Sequence, residues 1–417
     1  MPQGQGAFGL FGLQYEEVYG VSPGTPDLIK VYFSTVGIQG DQGLEESDII
    51  SGTRNPTKPG LGNIDVKGPL TTELQAYLGM LYYGLTGSIK TTMTGTGETV
   101  GAALAAPTAV INPFLQIITI ASAAHGLAVG AVIQVAGITA PTALNNTYLR
   151  VMKVVDAGNF ICRIPLGVSG AFTIGAGTLK KVTAPATSYV HEMRSGGMLP
   201  SFVGETGFPD VPEFFLFNGL KVGGMSLGIT PKGIQKLSFN FVGSNETPST
   251  TSFDTTATDL TKVSFTGFQI ASIIEDAGGA NNTLATVTGL DINLENNPDT
   301  EAGYTVGSAG KRTSMPAKKL KLSGTLNVQF DSMTLYTKAI NGTETALKVT
   351  FTLGSGAGTA GNEQLEILLC ELMFGRNTPT IDGDGGVTVK LPITGYYDNN
   401  AQGAALQITL KNTQPGP

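Results

Sequence analysis

The residues able to do chemistry in this sequence are few and scattered. His125 and His191 are the only histidines, and Cys162 and Cys370 the only cysteines, far apart and in no C-x-x-C. A zinc or iron site needs several such ligands close together, and no window supplies them. The letters G-x-S-x-G occur at Ser22 and Ser226, but neither serine has the strand-to-helix elbow context that exposes a hydrolase nucleophile. The run GSGAGTAG at 354–361 has the glycines of a phosphate loop but lacks the Gly-Lys-Ser/Thr ending, so a hairpin tip explains it better. Asp382-Gly-Asp384-Gly-Gly opens like a calcium loop, yet no carboxylate follows at its twelfth position, and a hairpin turn is expected. His125 belongs on a turn, His191 beside Glu192 belongs in packing, and the pairs Glu16-Glu17 and Glu45-Glu46 read as solvated faces. The cysteines read as two buried free thiols. No catalysis, cofactor or metal is expected.

What does stand out is a basic loop on an acidic chain. The formal net charge is −7, which advertises no face for gripping nucleic acid, and the aromatics do not interleave with cations. Yet residues 52–62 form a Gly/Pro/Asn loop carrying Arg54 and Lys58. A short extended piece, 63–68, follows it. Then comes the best helix signal in the chain. Thr72 and Gln75 have capping-box spacing, Leu74, Tyr77, Leu78 and Leu81 form one apolar stripe, and Gly84 suits a C-terminal cap. Such a stripe has to be covered, so the helix is expected to lie on a sheet. A second helix is expected over 331–340, started by Asp331 and ended by Asn341-Gly342.

Nearly everything else reads as strands and turns. Charged residues make up 14% of the chain, low for an intracellular enzyme, and the 57 glycines fit a rigid β protein or a virion structural protein. The N-terminus lacks the pattern of a signal peptide, and no apolar run approaches the roughly 18 residues of a membrane span. Alternation marks strands at 237–242, 320–330, 347–353, 365–373, 387–393 and 406–410, with another at 28–36. Residues 41–48 read as an acidic turn, and Asn218-Gly219 as a turn after Phe217. The chain from 88 to about 107 collapses to Thr, Gly and Ala and reads as a linker, and Ala-Pro-rich chain returns at 179–187. Between them the texture is that of a small barrel or sandwich. Loop, strand and helix recur in the same order at 52–84 and 296–340, an echo of organisation rather than of residue identity.

The order of these features resembles the tail tube (major tail) proteins of long-tailed bacteriophages. The residues that carry the resemblance are Ser51-Gly-Thr-Arg54 with its loop, the exit from Gly68-Pro-Leu toward 74–84, and the block from Leu290 (LDINLENNP) through LSGTLNVQFDSMTLYTKAINGTETALKVTFTL. It covers roughly 30–90 and 189–412. The stretch with Ala124-His-Gly-Leu127, Val129-Gly130, Val135-Ala-Gly137, Leu144-Asn-Asn-Thr-Tyr148 and Asn159-Phe160 resembles a small module found in phage tail proteins.

The resemblance implies a mainly β fold: a tail-tube sandwich or barrel with one or two short packing helices and an inserted small all-β domain. The division expected is an N-terminal arm at 1–30, a discontinuous tail-tube domain at 31–97 and 186–417, and an outer β domain at 98–185 on flexible necks. It implies homohexameric rings stacked into a tube, tape-measure, terminator and tip proteins as partners, and non-specific passage of double-stranded DNA. The place is the virion tail, assembled in the bacterial host cytoplasm. Repulsion between an acidic wall and DNA acts only near the wall, since salt screens it beyond about 8–10 Å. Within this scheme Thr53, Arg54, Asn55, Lys58 and Asn63 are expected in an inter-ring stacking loop. Asn296, Asn297, Asp299, Glu301, Lys311 and Arg312 are expected in a second assembly loop. Thr325, Asn327, Gln329, Thr350 and Thr352 are expected on a polar sheet face. A tube of a contractile tail or type VI-like machine, and a capsid decoration or adhesive β protein, are the alternatives.

Overall fold

A computed structural model describes residues 3–50, 52–381 and 384–416. The chain is mainly β, as expected, and its named strand pairings are antiparallel. One sheet runs, in spatial order, through Gly60–Glu73, Lys236–Gly243, the second half of Glu213–Ile229, Val287–Glu295, Lys321–Gln329 and Thr388–Gly395. A second runs through Ile270–Glu275, Thr345–Thr352, Gln364–Phe374, Leu406–Asn412, Tyr189–Arg194 and Ser88–Met93. They are hinged where Leu372–Phe374 pairs with the end of Thr388–Gly395. Both turn their apolar sides into one core: Leu237, Phe239 and Ile292 from the first, Val349, Ile367 and Ile408 from the second. Period-two alternation made those strands legible, because each has one wet face.

The first helix differs from its expectation. Helix α1 is Gly79–Thr86, all of it buried, and the stripe reading of 74–84 does not hold. The reason is tertiary pairing. The strand Gly60–Glu73 continues through Thr72, opposite Leu237, and the amides of Leu74 and Ala76 donate to the carbonyls of Gln235 and Val263. With those donors taken, the chain stays extended. Gln75 does reach Thr72 (3.2 Å), but the Thr72 hydroxyl donates to Tyr32 O at 2.6 Å and caps nothing. Helix α1 then packs against strands of both sheets rather than on one. Gly84 lies inside it, where a Cβ would come within 2.8 Å of the Phe202 ring. Gly87 is the true cap, at φ 78, pressed against the Gly197 backbone, where a side chain has no room. Helix α2, Thr334–Asn341, ends at Gly342 as expected, although Met333 rather than Asp331 precedes it.

Other expectations shift for the same reason, long-range pairing. The acidic turn at 41–48 is largely a strand, Gln39–Glu45. The strand expected over 28–36 survives only as Ile29–Lys30 and Thr35–Val36. Asn218-Gly219 is no turn but an irregularity inside the long strand Glu213–Ile229. There the Gly219 amide donates to the Glu16 carboxylate (2.7 Å). The N-terminal stretch, read as an arm, contains the strand Leu10–Tyr15, which pairs with Phe202–Phe208 and buries Phe11, Leu13 and Tyr15 on its own chain.

Residues 104–179 gather a second core around Ile118, Ile133, Leu149, Val151 and Phe160, apart from the main one. The strand Thr147–Asp156 joins its two small sheets. The segments read as flexible necks are paired strands. Ser88–Met93 runs along Tyr189–Arg194, and Thr99–Ala103 pairs with Thr178–Ala184. Tyr148 pairs with Thr91 across the junction, and the Leu166 amide donates to Ser88 Oγ at 2.8 Å.

Candidate assembly surface

The strands Gln39–Glu45 and Gly60–Glu73 form a hairpin whose outer half leaves the body of the protein. Its base is braced. The Gly40 amide donates to Glu246 (2.6 Å), the Ile64 amide to Gly310 O (2.8 Å), and the Tyr304 hydroxyl to Ile64 O (2.8 Å). Past the Gln42–Ile64 pair the only partner strand among the described residues is the hairpin's own other arm. All of Gln39–Glu45 is exposed.

The sequence reading singled out the hairpin's cations. Thr53, Arg54, Asn55, Lys58 and Asn63 are all exposed on it, and neither Arg54 nor Lys58 has an ion pair among the described residues. Ser51 lies outside the described residues. Two things were missed. Over 39–67 five acids (Asp41, Glu45, Glu46, Asp48, Asp65) face three bases (Arg54, Lys58, Lys67), so the hairpin is net −2 and not basic. Its acids cluster on the outgoing arm and tip, and Arg54 and Lys58 on the return. Its tip is also apolar: Ile50 is 95% exposed, Ile49 75%, Leu61 74%, and Leu44, directly opposite Leu61, 63%. The signal was in the sequence, as aliphatic residues without period inside a polar loop. Bare aliphatics on a projecting element are the usual mark of a contact surface.

The second loop, 296–319, behaves differently. Arg312 is buried, and its guanidinium donates to Gly243 O (2.7 Å), Thr300 O (2.8 Å) and the Asp65 carboxylate, with the Tyr304 ring centroid 4.9 Å away. Partial burial raises the Asp65 carboxyl, but Lys67 at 2.5 Å and Arg312 outweigh it and hold it below its ordinary value. Asn296 is buried and donates to Leu85 O and Val222 O, both at 2.9 Å, tying the loop to the end of α1. Asn297 donates to Lys319 O, and Asp299 pairs with Lys318 at 3.2 Å. Glu301 and Lys311 are exposed. This loop clamps the hairpin's base.

The proposed polar face divides between the sheets. Thr325, Asn327 and Gln329 stand on the outer face of the first, Thr350 and Thr352 on the second, where Thr350 is buried between Ser272 and Glu366. Across the first sheet one straight row reads Thr71, Ser238, Ser226, Asn293, Ser323, Thr394, all uncharged and hydrogen-bonding.

The histidines and cysteines make no site. His191 is buried between Thr91 (2.9 Å) and Asn412 (3.1 Å), and burial pushes it down to about 4, so it is neutral near pH 7. Burial raises both free thiols, Cys370 to about 12. Among the described residues no group of His, Cys, Asp and Glu is placed to hold a metal, and no helix is long and apolar enough to cross a membrane. Asp382 and Gly383, the start of the calcium-like sequence, lie outside the described residues. The 354–361 run joins Thr345–Thr352 to Gln364–Phe374 as a hairpin tip.

No curated protein matches the chain. A family model described as phage tail tube protein matches residues 8–395, a span that begins before Leu10–Tyr15 and runs through the second core. The chain belongs to the phage tail tube protein family.

Proposed function

We propose that the chain is the major tail tube subunit, with six copies closing into a ring and rings stacking into a hollow tube. The tube holds the tape-measure protein and later passes double-stranded DNA. The observation that carries this reading is the hairpin at 39–67, whose braced base and bare aliphatic tip suit a tongue that reaches beyond its own ring. A stack built this way leaves free tongues at one end and free acceptors at the other, which is where terminator and tip proteins bind. Subunits assemble in the host cytoplasm and have no catalytic role. The outer face of the first sheet suits the channel wall. Its central row of hydroxyl and amide groups carries no cation to hold a phosphate, Thr325, Asn327 and Gln329 belong to that face, and Lys236, Lys321 and Lys390 stand on it away from the row. Replacing residues 46–59 by Asn-Gly tests the reading. The expected result in negative-stain microscopy is a folded subunit that makes no tubes, while tubes of ordinary length would refute it.

Residues 98–185 form an outward module in this reading, supported by their separate core. Deleting 98–185 and joining the ends with a short Gly/Ser bridge leaves tube formation intact. Its failure, with the remaining chain folded by circular dichroism, would assign the module to the tube wall itself.

A further inference from the structure

The hairpin and its supporting sheet have a polarity that points to a receptor for the tip. The strand Gly60–Glu73 carries the tip at its first residue. At its last, Glu73 stands opposite Lys236, which is opposite Gly228, which is opposite Asp291. That row is the far edge of the sheet, roughly 40 Å along the strand from Gly60 at about 3.3 Å per residue. Just beyond it lies a groove of about 290 Å³ with an apolar floor from Ile229, Pro231, Ile270, Leu284 and Val287.

Its rim holds an aromatic outward. Phe268 is 93% exposed on the short turn Gly267–Gln269. That turn is fixed, not slack. Gln269 Oε1 accepts from the Thr266 amide (2.7 Å), and the Gly267 amide donates to Gly233 O (2.9 Å). A Cβ on Gly267 would meet Pro231 O at 2.3 Å, so only glycine permits this approach. A rigid, bare aromatic beside an apolar groove is the form of an interface anchor. The charges also match. Lys232 and Lys236 beside the groove are exposed and form no ion pair among the described residues, and the same holds for Asp41, Glu45, Glu46 and Asp48 on the hairpin.

We infer that this groove receives the Ile49–Ile50 tip of a second copy of the chain, with Phe268 packing on the tip and Lys232 and Lys236 meeting the hairpin's acids. The inference rests on the stacking role proposed above for the hairpin. Donor and acceptor lie at opposite ends of one sheet, so the contact is head-to-tail and does not close on itself, as a growing tube requires.

Three variants test it in the full chain. Ile49→Asp/Ile50→Asp alters the tip, and Phe268→Asp/Lys232→Glu alters the groove. Ile50→Cys/Phe268→Cys places one thiol on each, with both native cysteines buried. All substituted positions are exposed, so each subunit keeps its melting temperature. The expected result is at least a tenfold loss of sedimentable tube for the first two. The third forms tubes that oxidation links into ladders of covalent multimers. Tubes that survive the tip variant would overturn the stacking role and this inference together. Tubes lost with the tip variant but kept with the groove variant would overturn the groove alone. So would loss of tubes in both without cross-linked multimers.

Discussion

The two long polar loops, 46–59 and 296–319, look alike in composition and behave as opposites. Both carry Thr, Pro and several charges, and both precede a strand and a short helix. The first is bare, with aliphatic residues outward and no ion pair at Arg54 or Lys58 among the described residues. The second is folded down on its own chain, its arginine buried and its asparagine bonded to the end of α1. The difference shows that a polar loop is identified by what its backbone and charges meet. Arg312 finds three acceptors at the hairpin's base, so its burial is compensated. Arg54 finds none among the described residues, and its side chain is exposed.

That contrast can be broken most strongly at Arg312. Arg312→Ala removes a buried cation, takes a donor from the Gly243 and Thr300 carbonyls, and leaves Asp65 with Lys67 alone. The expected loss is about 3 kcal/mol of subunit stability in urea unfolding, reduced from the fully buried case because Asp65 is a third exposed. A loss below 1 kcal/mol would mean that the loop does not clamp the hairpin.

Acid sharpens the same point with a smaller effect. The Asp65 carboxyl is held below its ordinary value, so its contribution is present above the unfolded pKa, near 3.8, and is lost as pH falls through the lower folded one. Subunit stability should therefore drop below about pH 4. The part of the drop due to this pair should be missing in Arg312→Ala. Equal acid sensitivity in both proteins would show that the pair is not the cause.

The smallest effect is expected at the bare loop. Arg54→Glu/Lys58→Glu should change subunit stability by less than about 0.5 kcal/mol, since exposed charges without partners carry little folding energy. If the same variant lowers stability as much as Arg312→Ala, the two loops are not opposites. Its effect on tube length is a separate matter. The hairpin is net acidic, so in the proposed stack the return arm's cations act only where they meet a partner's carboxylates.

Much of the fold was legible because alternation encodes it. Leu347, Val349, Phe351 and Leu353 alternate with polar residues, and the strand Thr345–Thr352 lies there. The glycine run at 354–361 was read as a hairpin tip and is one. The Asn341-Gly342 end of α2 was legible from local stereochemistry alone. Of the proposed assembly surface, the sequence singled out the hairpin's loop and only part of its composition. Arg54 and Lys58 drew notice, while Ile49, Ile50, Leu44 and Leu61 passed as background because isolated aliphatics in a loop have no period. Phe268 and its groove had no local signature. The groove's walls come from segments far apart in sequence.

By itself the sequence determined the class of the protein. Low charge, abundant glycine and alternating strands specify a mainly β protein, because those properties are sums over residues and local periods. Tertiary structure decided which loop is free and where the first helix begins. It also decided that Leu10–Tyr15 lies in a sheet and the segments flanking the second core are paired strands. Each of these turns on a backbone amide, a carbonyl or a buried charge finding its partner across long sequence separations: Leu74 with Gln235, Gly219 with Glu16, Arg312 with Asp65. No local pattern records such partners, and the cost of leaving a buried polar group without one settles the outcome.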